Sequence, residues 1–128
     1  MAFKVDSIDH VEVFVRDIDP AVAWYQRVLG LELIHRWEPE PAFIGAGTTA
    51  LAIFRATESL KEVGNPTRRE TPGWHRVAWG TTREGFDEAQ RHLKACGVSF
   101  RGPIDHDIAF SIYFHDPDGN LLEITREA

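Results

Sequence analysis

The chain has 128 residues, 14 Lys and Arg against 20 Asp and Glu for a formal charge of −6, and 43% hydrophobic residues, which describes one compact, mildly acidic globular domain. No Lys/Arg cluster is longer than Arg68-Arg69, so a cationic surface for nucleic acid or an anionic membrane is excluded. The single Cys96 cannot form an internal disulfide, and no apolar run is long enough for a signal peptide or a membrane span; a cytoplasmic protein is expected.

Ile8 to Val15 alternates, with Val11, Val13 and Val15 on one face and His10, Glu12 and Phe14 on the other, the pattern of a half-buried strand. Asp19 as N-cap, Pro20 as first helical residue, Ala21, Trp24, Tyr25, Val28 and Leu29 at helical spacing, and Gly30 as stop predict a helix. Leu31–Trp37, Ala42–Ile44 and Thr49–Arg55 read as three further strands, so the first half is βαβββ. Gly64, Pro66, Pro72 and Gly73, among charged residues, break the pattern over 58–73, which reads as a connecting loop and candidate lid.

The pattern then restarts. His75–Trp79 is a strand, and Thr81 with Glu84 makes a capping box. Phe86, Ala89, Leu93 and Cys96 mark a helical face ending at Gly97, and Val98–Arg101 is a strand. Phe110–His115 and Leu121–Thr125 alternate about the turn Asp116-Pro117-Asp118-Gly119, so the second half is also βαβββ.

Superposing the halves sets His10 on His75, Trp24 on Ala89 and Gly30 near Gly97, an internal repeat. Continued to the last strand of each half, the register brings Ala52 opposite Glu123. His10, His75 and Glu123 then occupy repeat-equivalent positions. Two imidazoles and one carboxylate form a facial triad that leaves coordination positions of a divalent ion open. The alternative for each residue alone is structural: two strand-start histidines satisfied by backbone and a carboxylate facing solvent.

Ile8-Asp9-His10-Val11, Ala23-Trp24-Tyr25 through Leu29-Gly30-Leu31, Gly73-Trp74-His75 and the run from Tyr113 to Ile124 carry a family likeness. On them the chain resembles the vicinal oxygen chelate superfamily, which includes glyoxalase I, bleomycin resistance proteins, fosfomycin resistance enzymes, methylmalonyl-CoA epimerases and extradiol ring-cleaving dioxygenases. The resemblance implies an α+β fold of two βαβββ modules curving into a partly open mixed β-barrel. Module 1 would span about 6–56 and module 2 about 74–126, joined by a linker at 57–73 in one domain. It implies a divalent metal held by His10, His75 and Glu123. The fourth ligand position of the family falls on Ala52, which cannot ligate, and this argues against classical glyoxalase chemistry.

Ile104, His106, Ile112, Tyr113, Asp116, Pro117, Gly119 and Glu123 also match the spacing of the extradiol dioxygenase signature. By that likeness His106 and Tyr113 handle the hydroxyl proton of a catechol-like substrate beside Fe(II). The expected function is therefore a metal-dependent, extradiol dioxygenase-like oxidoreductase acting on a small bidentate oxygen substrate. Mn(II), Zn(II) or Ni(II) are the alternative metals if the chain is instead a lyase, isomerase or thiol transferase. A transferase would want several cations round its anionic substrate, and Arg55, Arg101 and Arg126 are scattered in the sequence. A non-catalytic drug-binding protein is the third reading. Glu12, Phe14, Trp79 and Phe110 are candidates to line the substrate pocket, with core packing the alternative for the aromatics and Glu12 also the carboxylate an epimerase would need. A homodimer is expected, because pairing chains protects sheet edges.

Overall fold

The computed structural model describes residues 3–56 and 73–128. The chain divides into two compact units, Met1–Ser59 and Leu60–Ala128. The first contains β1 (His10–Val15), α1 (Ile18–Leu29), β2 (Glu32–Arg36), β3 (Ala42–Ala46) and β4 (Thr49–Arg55). The second contains β5 (Val77–Gly80), α2 (Arg83–Ala95), β6 (Arg101–Asp105), β7 (Ala109–His115) and β8 (Leu121–Glu127). The repeat in the sequence is thus a repeat of topology. The first sheet runs β1-β4-β3-β2 and the second β5-β8-β7-β6, each with one parallel pair followed by two antiparallel pairs.

In the first unit Val11, Val13, Leu51, Ile53 and Ile44 share one face by register. Leu51, Ile53 and Ile44 are buried with Ile18, Ala21, Val22, Tyr25 and Val28 of α1, so this face and the helix make the core. The opposite face carries His10, Glu12, Phe14, Ala50, Ala52 and Phe43. Ala52, expected opposite Glu123 in the repeat, is fully buried there between Glu12 of β1 and Phe43 of β3.

The second unit follows the same plan. Ile112, Phe114, Leu122 and Ile124 share the buried face with Phe86 and Leu93 of α2. Ser111, Tyr113, Glu123, Thr125 and Ala78 share the other. Burying these large side chains supplies most of the drive to fold each unit, at roughly 25 cal/mol per Å² of apolar surface removed from water.

Four local expectations are corrected. Helix α1 begins at Ile18 with Asp17 as N-cap, so Pro20 sits inside the first turn, where its missing N–H costs no helical bond. Asp19 instead reaches Arg36 of β2, Oδ1 to Nη1 2.6 Å. Helix α2 is capped by Thr82, whose Oγ1 accepts from the Gly85 N–H at 3.0 Å, and not by Thr81 with Glu84. Thr81 packs where a Gly85 side chain would lie: a Cβ there would be 2.1 Å from Thr81 Oγ1.

The strand expected at Val98–Arg101 begins only at Arg101, because the Val98 N–H is spent closing α2 on the Leu93 carbonyl at 2.9 Å. Strand β5 begins at Val77, leaving His75 outside the ladder. The candidate lid at 58–73 lies, but for Gly73, outside the described residues. No helix among the described residues is long and apolar enough to cross a membrane.

Candidate metal centre

His10 opens β1, where alternation turns its ring to the helix-free face. Nδ1 lies 2.8 Å from Asp9 Oδ2 and Nε2 lies 3.0 Å from Glu12 Oε2, while the ring meets Phe43 at 4.9 Å between centroids. The hydrogen bond to Asp9, then that to Glu12, raise the imidazole pKa above its ordinary 6.5. Glu12 is therefore a partner of His10, and Phe14 stands 61% exposed further along the same face.

Glu123 lies on β8 in register with Ala78 of β5 and Tyr113 of β7. The hydroxyl of Ser111, itself 1% exposed, donates to Glu123 Oε2 at 2.8 Å and lies 3.0 Å from Thr125 Oγ1. Thr125 Oγ1 in turn lies 3.3 Å from the Phe110 carbonyl. Glu123 makes no ion pair among the described residues, so a half-buried carboxylate, oriented by one hydroxyl, is left without a cation. That is a donor suited to a divalent ion.

His75 lies exposed before β5, with Arg76 Nη2 3.1 Å from its Nε2 and 3.3 Å from its Nδ1. Nη2 is nearly equidistant from both ring nitrogens, so it faces the imidazole ring and not one lone pair. Of the three expected ligands, His10 belongs to the first unit and His75 and Glu123 to the second. Neither unit by itself gathers three His, Cys, Asp or Glu side chains into a metal-binding group among the described residues.

His106 and Tyr113 meet. Nε2 is 2.6 Å from Tyr113 Oη, with the rings nearly perpendicular at 87°. His106 stands in the β6–β7 turn, closed by His106 N–H to Ala109 carbonyl at 2.8 Å and by the Asp107 N–H donating to Asp105 Oδ1 at 2.8 Å. Tyr113 is paired with Glu123 on one side and Arg101 on the other. Two guanidiniums approach its ring, Arg76 with Cζ 4.5 Å and Arg101 with Cζ 5.1 Å from the centroid.

Register places Trp79 and Phe110 on the sheet face opposite Glu123. Trp79 is paired with Ile124 and Phe110 with Arg126, on the face that carries α2. Arg126 bridges Phe110, 4.4 Å from its centroid, to Phe86 of α2, 5.7 Å away. Trp79 and Phe110 are half-buried on that face. Asp116, 4% exposed, is likewise structural: Oδ1 accepts from the N–H groups of Asp118 and Asn120 at 2.9 and 2.8 Å, and Oδ2 from Asn120 Nδ2 at 2.8 Å. The Asp-Pro-Asp-Gly-Asn run thus aims β8, and Glu123 on it, without touching chemistry itself.

Ser111, Arg76 and Arg101 did not stand out in the sequence. The available signal was parity: Ser111 is two residues before Tyr113 on one strand, the only small polar side chain in Ala109–His115.

The family model described as the Glyoxalase/Bleomycin resistance protein/Dioxygenase superfamily matches residues 7–124, and the chain belongs to that family. It is 32% identical over 127 residues to Virulence protein STM3117 of Salmonella typhimurium, across 95% of this chain and 85% of that protein. The crystal structure of STM3117 has the same fold, with a TM-score of 0.75 at 24% identity over 98% of this chain and 100% of that one. Glutathione transferase FosA of Serratia marcescens is 26% identical over 94% of this chain and 80% of its own. Biphenyl-2,3-diol 1,2-dioxygenase 2 of Rhodococcus globerulus is 28% identical over 79% of this chain and 52% of its own, so the match spans about half of that enzyme.

Proposed function

We propose that the chain is a divalent-metal-dependent enzyme acting on a small substrate through two neighbouring oxygens, with His10, His75 and Glu123 as metal ligands and Fe(II) as the metal. The finer reading is a ring-cleaving, extradiol dioxygenase-like activity. The observation that carries it is the 2.6 Å contact of His106 with Tyr113, whose strand position is paired with Glu123. The similarity to a biphenyl-diol dioxygenase supports it. The two units would act as one domain, with 57–73 as linker, in a cytoplasmic homodimer.

A bound divalent ion supplies Lewis-acid chemistry: it holds two oxygens and stabilises negative charge developing on them. The residues do the rest. Ser111 fixes the Glu123 carboxylate by donating to Oε2, which fixes the direction of its ligating lone pairs. Tyr113 Oη and His106 Nε2 share a proton, so Tyr113 can accept a substrate hydroxyl proton as it passes its own to Nε2, and return one by the reverse route. His10 must give up its contact with Glu12 or Asp9 to ligate, and Glu12 is then available to accept a proton.

A second reading, a thiol transferase, is favoured by one observation. Arg101 is not scattered: it and Arg76 both address Tyr113, and the chain is similar to FosA. Metal analysis under anaerobic conditions, Fe(II) reconstitution and oxygen uptake with a catechol panel separate the readings. Catechol-dependent uptake lost in His10→Ala and Glu123→Ala supports the dioxygenase. Tight binding of Mn, Zn or Ni without uptake moves the assignment to transferase or lyase chemistry, and absence of metal binding refutes the enzyme reading in favour of a binding protein.

A further inference from the structure

We propose that Arg76, by strand register, holds in the second unit the place that His10 holds in the first, and that this resident cation weakens the binding of a divalent ion through His75. The inference rests on the proposed metal site and names the residue that sets its affinity.

Two counts align the units, and they differ by one residue. Along the chain, His10 lies seven residues before the α1 N-cap Asp17, and His75 seven before the α2 N-cap Thr82. Across the sheets, Glu12 is paired with Ala52 in the first unit and Ala78 with Glu123 in the second. Ala52 and Glu123 are the repeat-equivalent positions, each paired on its other side with an aromatic residue, Phe43 or Tyr113. His10 stands two residues before Glu12, and Arg76 stands two before Ala78, one step ahead of β5. The ladder decides the face, because a slip of one residue turns a side chain to the other side of the sheet.

The contacts agree with the ladder. The His10 ring meets Phe43 at 4.9 Å between centroids. The Arg76 guanidinium meets Tyr113, the counterpart of Phe43, with Cζ 4.5 Å from the ring centroid. Arg76 thus repeats the contact of His10, but a guanidinium has no lone pair and cannot ligate.

His75 is left beside a fixed charge, with Arg76 Nη2 3.1 Å from Nε2 and 3.3 Å from Nδ1. With a ligand bond of roughly 2 Å, an ion held by either nitrogen would lie within about 5 Å of Nη2. Glu123 does not neutralise the guanidinium: its carboxylate accepts from Ser111, and Arg76 forms no ion pair among the described residues. Arg76 is half-buried and His75 exposed, so water screens the repulsion in part, and a cost of about ten-fold in affinity is expected. An Arg76 that only packed on Tyr113 would leave metal affinity unchanged.

The test measures Zn(II) and Co(II) affinity of the full chain by chelator competition, with Co(II) absorption reporting the ligand set. Arg76→Gln should bind about ten-fold more tightly than the wild type, and Arg76→Lys, which keeps the charge, should bind as the wild type does. Arg76→His puts an imidazole at the register position. It should bind more tightly than Arg76→Gln and keep that gain when His75→Ala is added. Urea midpoints of the metal-free variants control for folding.

Equal or weaker binding by Arg76→Gln, with metal still bound by the wild type, overturns the effect of Arg76 and leaves the metal site standing. Loss of the Arg76→His gain on adding His75→Ala overturns the register assignment. Binding by Arg76→His but not by the wild type upholds the register and refutes the three-ligand site in the natural chain. Absence of binding by every variant refutes both.

Discussion

Replacing Ser111 by Ala removes one oxygen from a fully buried position and tests whether that oxygen orients a ligand or only fills the sheet. The hydroxyl lies 2.8 Å from Glu123 Oε2 and 3.0 Å from Thr125 Oγ1. A hydrogen bond to a charged acceptor contributes about 1.5–3 kcal/mol when buried, but the Glu123 carboxylate is half-exposed and water can replace the lost donor. Thr125 keeps the Phe110 carbonyl as a partner. The metal-free variant should therefore lose only about 1 kcal/mol, read from the urea midpoint at constant m. Metal affinity should fall further, by about ten- to hundred-fold, because a carboxylate freed to rotate must be ordered again on binding. Affinity is measured by chelator competition with Zn(II) and Fe(II). A variant that loses the stability increment and binds metal as the wild type does would refute the orienting role.

Asp116→Ala should cost about 3 kcal/mol in urea unfolding, since a buried carboxylate that accepts from Asp118 N–H, Asn120 N–H and Asn120 Nδ2 is removed; a loss below 1 kcal/mol would refute the turn assignment. His10 should titrate by NMR with a midpoint above 6.5, and Asp9→Asn should lower it more than Glu12→Gln. Because its pKa is raised in the folded chain, the stability it contributes is present below pH 6.5 and lost as pH rises through the folded midpoint; His10→Asn should abolish that slope. Metal binding should strengthen over the same window, as the proton leaves the ring.

The repeat, the two helices and nearly every strand were legible because each half alternates apolar and polar residues at strand period and then shifts to helical spacing. The misplacements have tertiary causes. Asp19 and Thr81 are sound caps by residue type, but Arg36 claims one and the packing at Gly85 displaces the other. Trp79 and Phe110 are pocket candidates on aromatic character alone, whereas strand parity sets them on the face opposite Glu123 and Tyr113. Arg76 and Arg101 were not legible as neighbours of Tyr113, since one lies outside the ladder before β5 and the other beside the register shift between Arg101 and Ile104, which no periodicity announces.

The two helix-free faces show what a repeat leaves open to change. Each unit fixes its helix-covered face with large aliphatics, and a polar substitution there would leave a buried group unpaired. The opposite face admits polar groups where each finds a partner, as Ser111 does. In the first unit it carries His10 with its two carboxylates and then Ala52, fully buried and without a donor atom. In the second it carries Glu123, Ser111 and Tyr113 with two guanidiniums. The helix-covered face is thus alike in both units, and the units differ in the polar groups set on the face opposite.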